Sequence, residues 1–319
     1  MNNICLPKRL EGVNIASSII ILLGPTCVGK TSAALSLAKF LDSEIISADS
    51  MQVYRHMNIG TAKPDKTEMG GIIHHMIDIV EPTEMYSAGK YLDTVIPIMD
   101  NILKRGRIPI ISGGTGLYME AITRGLFKAV DADWSLRNIL LGIERETPGY
   151  LYQILFEIDP ISASKVMPGD IRRIIRAVEV FFHSGRSISN LQAVSTKPLP
   201  YNFIKIGLIR DREELYLRIE KRVDMMISKG LVSEVEAVLK INLSHTPLQA
   251  IGYKEIARNM AGLCTIDEAI SEIKKASRRY AKRQLSWFRR DKDILWVDIT
   301  GINDEALIFE RVIDKLLKD

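Results

Sequence analysis

The stretch SIIILLGPTCVGKT, Ser18–Thr31, decides the fold of this chain. It opens on an isoleucine-rich run, and a short apolar run of this kind predicts a buried strand. It ends on eight residues that fit the pattern G-x-x-x-x-G-K-[ST]. The apolar residues of Thr31–Leu41 then recur at helical spacing, which predicts a helix directly after the pattern. A strand, a glycine-rich turn and a helix in this order predict a phosphate-binding loop.

The residue types of this loop suit an anion. Glycines allow the backbone to turn its N–H groups toward a phosphate, Lys30 adds a positive charge, and Thr31 offers a hydroxyl to Mg²⁺. The following helix directs the positive end of its dipole to the same place. We expect Mg²⁺ as the cofactor, with Thr31 as its protein ligand. We expect a diphosphate to be bound by the whole loop: Gly24, Pro25, Thr26, Cys27, Val28, Gly29, Lys30 and Thr31.

Strands and helices alternate along the chain and predict an α/β fold, a P-loop parallel sheet covered by helices. Later strands are predicted at Glu44–Ser47, Arg107–Ser112, Phe203–Arg210 and Ile294–Asp298. Later helices are predicted at Ser87–Lys104, Asp211–Lys229, Leu231–Lys240, Ile266–Arg290 and Asn303–Leu317. Asn303 is the expected N-cap of the last helix.

The middle of the chain has a different character. Residues 130–200 show helical patterns interrupted by prolines and no convincing strand. We therefore predict a helical insertion domain at 130–200. It interrupts a P-loop core formed by 18–129 and 201–319, and residues 1–17 form an N-terminal lead-in.

Composition excludes several classes of protein. A chain of 319 residues with 46% hydrophobic and 26% charged residues is typical of a globular protein rather than a disordered one. Its three cysteines are too far apart in sequence to indicate a zinc site or a disulfide framework. No apolar run approaches the length of a membrane span, so we expect a cytoplasmic protein without a membrane partner. The net charge of +4 permits an acidic partner without requiring one.

A loop of this kind is common in kinases and nucleoside triphosphatases, which also need an acidic residue at the end of another strand to hold the metal. Here the strand at Arg107–Ser112 is followed by Gly113-Gly114-Thr115-Gly116 and no acid. This absence disfavours ATP hydrolysis, whereas a diphosphate that leaves during a reaction is compatible with the loop. The glycines themselves fit either the close approach of a ligand or a plain tight turn.

Asp49 follows the strand predicted at Glu44–Ser47 and should lie beside the phosphate loop. A carboxylate in this position can hold Mg²⁺ through water or accept a proton during a reaction. The alternative is an aspartate that forms a turn or caps a helix.

Two basic clusters indicate a phosphate-rich partner. The segment Lys274–Lys292 contains nine basic residues and one acid, and its bases, including Lys282 and Arg283, fall at helical spacing. A basic helix face without a partner is the alternative. The predicted insertion carries the second cluster: Arg172, Arg173 and Arg176.

A further basic pair lies in the helix predicted at Asp211–Lys229. Arg218 and Arg222 are four residues apart and therefore share one face of that helix. They form either another anion site or ion pairs with Glu214 and Glu220.

Several strings together point to one family. In order along the chain they are GPTCVGKT, DSMQVYRHMNIGTAKP, HHMIDIVEP, GGTGLY, DIRRIIRAVEV, QAIGYKE and RRYAKRQLSWFRR. The chain resembles the tRNA dimethylallyltransferases, also called tRNA isopentenyltransferases, from about Ile19 to Arg290. It resembles the bacterial type, because Cys264 has no partners for the zinc finger of eukaryotic relatives.

The resemblance implies transfer of a dimethylallyl group from dimethylallyl diphosphate to the N6 amine of the adenine 3′ of the anticodon, tRNA position 37. It implies that Asp49 accepts the amine proton or bonds the amine, and that Thr115 positions the acceptor and the diphosphate. We expect Lys30 to stabilise the leaving diphosphate, and the resemblance implies the same role for Arg222. We expect a monomer, bound to the anticodon stem-loop.

The residues expected to contact tRNA include the basic pair Lys282 and Arg283. By resemblance they also include Asp49, Ser50, Met51, Gln52, Thr115, Arg137, Arg172, Arg173, Ile174, Ile175, Arg176, Gln249, Ala250, Ile251, Gly252, Tyr253 and Lys254. Three other functions stay open: an isopentenyltransferase acting on free AMP, ADP or ATP, a kinase of a small metabolite, and a non-catalytic RNA-binding protein.

Overall fold

The computed structural model describes residues 18–127, 131–241 and 243–318, so the lead-in predicted at 1–17 lies outside the described residues. The strands of the described residues are β1 (Ser18–Leu23), β2 (Ile45–Ala48), β3 (His74–His75), β4 (Ile110–Gly113), β5 (Asn202–Ile209) and β6 (Ile294–Asp298). They form one six-stranded sheet of order β3-β2-β4-β1-β5-β6. Every neighbouring pair is parallel, which confirms the predicted fold class.

The strand predictions hold, with small shifts at the ends. β1 covers the whole apolar run that precedes the phosphate loop, and β6 begins and ends where predicted. β4 begins at Ile110 rather than at Arg107. The two-residue strand β3 was not predicted, because two residues are too few to show a pattern.

Within the described residues, every strand except β2 is followed by one or more helices. Those of the described residues are α1 (Lys30–Phe40), α2 (Ala88–Lys104), α3 (Gly116–Arg124), α4 (Trp134–Glu146), α5 (Tyr150–Ile158), α6 (Pro160–Ala163), α7 (Ile171–Ser184), α8 (Ile188–Ser195), α9 (Arg212–Ser228), α10 (Leu231–Leu239), α11 (His245–Leu248), α12 (Tyr253–Met260), α13 (Ile266–Phe288) and α14 (Glu305–Lys318). None of these helices is both long enough and apolar enough to cross a bilayer.

The last helix begins later than predicted, and its expected cap was wrong. Asp304, not Asn303, accepts the backbone N–H groups of Ala306 and Leu307, at 2.7 and 3.3 Å. Asn303 instead accepts a hydrogen bond from the guanidinium of Arg218 at 2.8 Å. The carboxylate of Asp304, one residue further on, therefore caps the helix in place of Asn303. A negative charge at this position is also stabilised by the helix dipole.

The central strand explains why the decisive stretch is so apolar. β1 lies between β4 and β5, and all its residues are buried. Ile20 and Leu22 belong to one core cluster with Leu37 of α1 and Val312 of α14. Full burial of each such side chain contributes about 1.5–3 kcal/mol, so this strand fixes the position of the loop that follows it.

The chain divides into two compact units. One contains the described residues up to Met119 together with those from Pro200 onward, and the other is Glu120–Leu199. The second unit is helical throughout its described residues, as the fold-class prediction expected. It begins at Glu120, earlier than the predicted boundary at 130, which itself lies outside the described residues.

Candidate active site

The carboxyl ends of three neighbouring strands meet at one point of the sheet edge. Gly113 at the end of β4 pairs with Leu23 of β1 on one side and with Ala48 of β2 on the other. The next residues along each strand begin the phosphate loop, the segment from Asp49, and Gly114. The register of the sheet therefore places all three predicted active-site segments side by side, where ligands of parallel sheets bind.

The phosphate loop has the backbone of an anion-binding turn. Gly24, Cys27 and Gly29 all have positive φ, at 151°, 64° and 118°. Alternation of left-handed and ordinary conformations turns successive N–H groups to one side and forms a concave nest for an anion. Lys30 begins α1, and its Nζ donates to the carbonyl oxygens of Gly24 and Pro25 at 3.0 and 2.8 Å.

The environment of Lys30 lowers the pKa of its ammonium group. Burial, reinforced by the nearby charge of Arg222, lowers the pKa of Lys30 to about 8, and the carboxylate of Asp49 opposes part of this shift. These charged groups therefore interact in one site. An anionic ligand would favour the protonated form of the lysine, because its negative charge would offset the loss of water around the buried ammonium group.

Arg218 and Arg222 do contact the phosphate loop. Arg222 donates from Nη1 to the hydroxyl of Thr26 at 3.2 Å and lies 3.4 Å from the sulfur of Cys27. Arg218 donates from Nε to the carbonyl oxygen of Cys27 at 3.0 Å. The two acids offered as alternative partners pair elsewhere: Glu214 with Arg210, and Glu220 with Arg278. The ion-pair alternative therefore does not fit, and the anion site stays a prediction.

Gln284 of α13 was not predicted as a site residue, yet it joins two of the loops. Its Oε1 accepts the backbone N–H of Thr26 at 2.8 Å, and its Nε2 donates to the carbonyl of Gly114 at 2.8 Å. Ala281, Gln284 and Phe288 lie on one buried face of the helix. A lone amide on an otherwise apolar face was the available signal, because a buried polar group needs partners.

The glycines after β4 make room for α13. A Cβ built on Gly114 would lie 2.1 Å from Nε2 of Gln284, and one on Gly116 would lie 2.6 Å from Cδ1 of Trp287. Close approach is thus the reason for these glycines, although the approaching groups are protein side chains and not only a ligand.

Asp49 forms the turn that the sequence left as its alternative role. Its Oδ1 accepts the backbone N–H groups of Met51 and Gln52, at 2.8 and 3.3 Å. Thr115 lies next to this turn, because its Oγ1 accepts the N–H of Ser50 at 3.0 Å. The turn fixes one carboxylate oxygen in place, which orients the other without excluding a chemical role for it.

Some residues expected to contact tRNA are used inside the first unit. The side chain of Gln52 accepts from Ser47 and donates to the carbonyls of Thr61 and Ala62. Ala250 and Tyr253 are buried, and the hydroxyl of Tyr253 donates to Glu234 at 2.6 Å. These bonds and this burial engage the side chains of Gln52, Ala250 and Tyr253 within the unit, and contact of these residues with tRNA stays a prediction. Gln249 and Lys254 are exposed, Ile251 is half-buried, and Gly252 precedes α12 with a φ of 97°.

Several predicted residues of the insertion are also engaged within their own unit. Ile174 and Ile175 are buried in its core, so their side chains do not reach solvent. Arg137 donates twice to the fully buried Glu179, at 2.8 Å each, and Arg176 bonds the same carboxylate. Helix α7 is strongly two-sided, and its apolar residues took the inner face. Of the predicted residues in this unit, Arg172 and Arg173 are the exposed ones.

The basic face of α13 is partly neutralised. Lys274 pairs with Asp224 at 2.6 Å, and Arg278 pairs with Glu220 at 2.5 Å. Lys282 and Arg283 are exposed, as a contact with a phosphate backbone would require. The C-terminal half of the helix therefore carries the positive surface.

Comparison with known proteins identifies the family of the chain. The family model described as IPP transferase matches residues 52–291. A tRNA dimethylallyltransferase of Thermodesulfovibrio yellowstonii is 53% identical over 305 residues, which cover 93% of this chain and 97% of the relative. One of Pelotomaculum thermopropionicum is 42% identical, with 95% and 98% covered.

Solved structures give the same result. The tRNA isopentenylpyrophosphate transferase of Bacillus halodurans has a TM-score of 0.69 at 39% identity, with 94% of this chain and 97% of that one covered. A eukaryotic dimethylallyltransferase acting on tRNA has a TM-score of 0.76 at 27% identity, with 90% and 75% covered. The resemblance stated from the sequence strings is confirmed: the chain belongs to the IPP transferase family.

Proposed function

We propose that this protein transfers the dimethylallyl group of dimethylallyl diphosphate to the N6 amine of adenine 37 in tRNA and releases diphosphate. One observation carries the proposal. The ends of β1, β2 and β4 bring a phosphate nest, a carboxylate and a hydroxyl together at one edge of the sheet. β4 is followed by glycines rather than by the acid that a triphosphatase needs.

The reaction forms a bond between N6 of adenine and the allylic carbon, and it breaks the bond from that carbon to the diphosphate oxygen. The electron pair of the broken bond leaves with the diphosphate, so negative charge grows there. Lys30, Arg222 and the loop N–H groups are the donors that stabilise this charge. Because they are held by the fold before substrate arrives, they need little reorganisation during the reaction.

Asp49 receives the proton that N6 loses. Its Oδ1 is held by two backbone N–H groups, so Oδ2 is the oxygen that we assign to the amine. Thr115 holds the adjacent Ser50 and thereby the orientation of the turn. The Asp49 carboxylate thus acts on the attacking amine, whereas the diphosphate donors act on the leaving group of the same substitution.

Mg²⁺ fits the residues present. This ion commonly takes one or two protein oxygens and completes its shell with phosphate oxygens and water. Thr31 supplies an exposed hydroxyl in the first turn of α1, and Asp49 supplies a carboxylate within electrostatic reach of Lys30. Bound there, the ion would neutralise charge on the diphosphate.

The tRNA contacts that we propose are the exposed members of the predicted set. They are Arg172, Arg173, Gln249, Lys254, Lys282 and Arg283. Basic side chains bind the RNA backbone, while N6 of a stacked adenine becomes accessible only after the base leaves its stack. Adenine 37 lies in an unpaired loop, where this costs least.

The donor distinguishes the proposal from a kinase. The purified chain is incubated with an anticodon stem-loop and either dimethylallyl diphosphate or ATP, and release of pyrophosphate or phosphate is followed. We expect RNA-dependent release of pyrophosphate from the allylic donor and no turnover of ATP. Turnover of ATP without prenyl transfer would refute the proposed function.

A further inference from the structure

Three consecutive residues of the phosphate loop are each contacted by an arginine. Arg222 donates to the side chain of Thr26, Arg218 to the carbonyl of Cys27 at 3.0 Å, and Arg210 to the carbonyl of Val28 at 2.8 Å. The last two contacts act on backbone oxygens. The carbonyls of Cys27 and Val28 are therefore each held by a guanidinium group of the protein.

Cys27 occupies a conformation that its side chain disfavours. Its φ is 64°, in the left-handed region, where residues other than glycine bear a steric cost from Cβ. The anion nest requires this conformation, because it turns the neighbouring N–H groups to the same side. Something must therefore hold Cys27 in place, and Arg218 contacts the carbonyl of this residue.

Arg218 is also tied on its other side. Its Nη1 donates to the side-chain oxygen of Asn303 at 2.8 Å. Leu215 and Ile219 of the same helix are buried in the core cluster around β1. The guanidinium thus bridges the loop and the segment before α14, which fixes its position.

We propose that Arg218 is a positioning residue that holds Cys27 in the left-handed conformation and so keeps the phosphate nest open for a diphosphate. The inference rests on the diphosphate-binding part of the proposed function. Arg218 acts through the loop backbone, whereas Arg222 faces the loop side chains and the ligand. Substitution of Arg218 should therefore weaken diphosphate binding when residue 27 disfavours the left-handed conformation. It should have little effect when residue 27 adopts that conformation readily.

A double-mutant cycle tests this, with inorganic pyrophosphate as the probe and calorimetry as the measurement. Arg218→Met removes the donors at similar length, and Cys27→Gly removes the cost of the left-handed conformation. We expect Arg218→Met to weaken pyrophosphate binding about tenfold in the parent chain. In the Cys27→Gly background we expect the same change to cost about twofold or less.

Lys221→Met is the matched control, since Lys221 is an exposed cation of the same helix. It should leave binding within about twofold. Equal losses from Arg218→Met in both backgrounds would show that Arg218 contacts the ligand itself, and this would overturn the inference. So would an unchanged affinity, or failure of the parent chain to bind pyrophosphate.

A chain that binds pyrophosphate and shows the coupling but transfers no prenyl group would keep the inference and lose the function. Thermal unfolding of each variant separates loss of the fold from loss of the nest. A kinetic arm adds a second readout: Arg218→Met should raise KM for the diphosphate donor more than it lowers kcat.

Discussion

The backbone N–H of Ser50 donates to the hydroxyl of Thr115 at 3.0 Å, and this bond joins the end of β2 to the end of β4. Thr115 in turn donates its own N–H to the carbonyl of Ala48 at 3.2 Å. The turn that carries Asp49 is therefore held from the neighbouring strand, so the carboxylate and the glycine-rich segment form one rigid corner.

Thr115→Val should remove this support without changing the volume of the side chain. We expect kcat to fall roughly tenfold to a hundredfold, since a shift of the acid by about 1 Å is enough to cost that much. Thr115→Ser is the matched control, because it keeps the hydroxyl and should keep most of the rate. Equal rates for the valine and serine variants, measured under saturating donor and RNA, would show that the bond does not position the acid.

Asp49→Asn separates the two roles of the aspartate. The amide oxygen can still accept the N–H groups of Met51 and Gln52, so the turn should persist, but the proton acceptor is lost. We expect turnover to fall roughly 10²–10⁴-fold while affinity for the stem-loop changes little. Asp49→Ala should lose the rate and also some thermal stability, because it removes the turn bonds. An asparagine variant with the parent rate would contradict the assignment.

The pKa of Lys30 predicts how donor use depends on pH. Because burial lowers it from 10.5 to about 8, the lysine loses its charge as pH rises through 8. The value of kcat/KM for the diphosphate donor should therefore fall above about pH 8. The free energy of unfolding should instead rise with pH between 8 and 10.5. In this range the unfolded chain still holds the proton that the folded chain has lost.

Lys30→Arg provides the comparison for this profile, because a guanidinium stays charged throughout the range. Its activity should be lower but nearly independent of pH between 7 and 9.5. A parent profile that stays flat through pH 9.5 would mean that Lys30 keeps its charge in the folded chain.

Glu179 should be the residue on which the insertion depends most. Burial raises the pKa of Glu179, but the hydrogen bonds from Arg137 and Arg176 lower this pKa by a larger amount, so the net shift is downward. Its contribution to stability is thus present at neutral pH and is lost as pH falls through the lowered pKa. Glu179→Gln removes the buried carboxylate charge that Arg137 and Arg176 face, and it should cost about 3–5 kcal/mol.

Urea unfolding followed by circular dichroism at pH 7 measures this cost. Asp170→Asn is the control, since Asp170 pairs with Arg173 at the surface, at 3.4 Å, and should change stability by less than about 1 kcal/mol. A glutamine variant as stable as this control would show that the buried network contributes nothing.

Local patterns were enough to find five of the six strands and the sheet edge at which the candidate site lies. The run Ser18–Leu23 and the glycines after it predict both the central strand and its loop. Asp49 follows β2, and the register of β2 with β4 fixes which segments lie beside Asp49. These features depend on residues near one another in sequence, which is where periodicity and turn chemistry act.

Contacts between distant segments were not readable in this way. Gln284 bonds Thr26 across 258 positions. Its place on an apolar helix face signals that the amide needs partners, but not which segments supply them. The same limit explains Ile174 and Ile175: a motif marks a segment, but only packing shows which side chains of that segment face inward.

The acceptor decides the central claim. Radiolabelled dimethylallyl diphosphate is offered with an unmodified anticodon stem-loop bearing adenine 37, with the same RNA bearing guanine there, and with AMP. After digestion of the RNA, we expect label only on the adenine-37 stem-loop, recovered as N6-(dimethylallyl)adenosine. Label on AMP, or equal label on both RNAs, would contradict it.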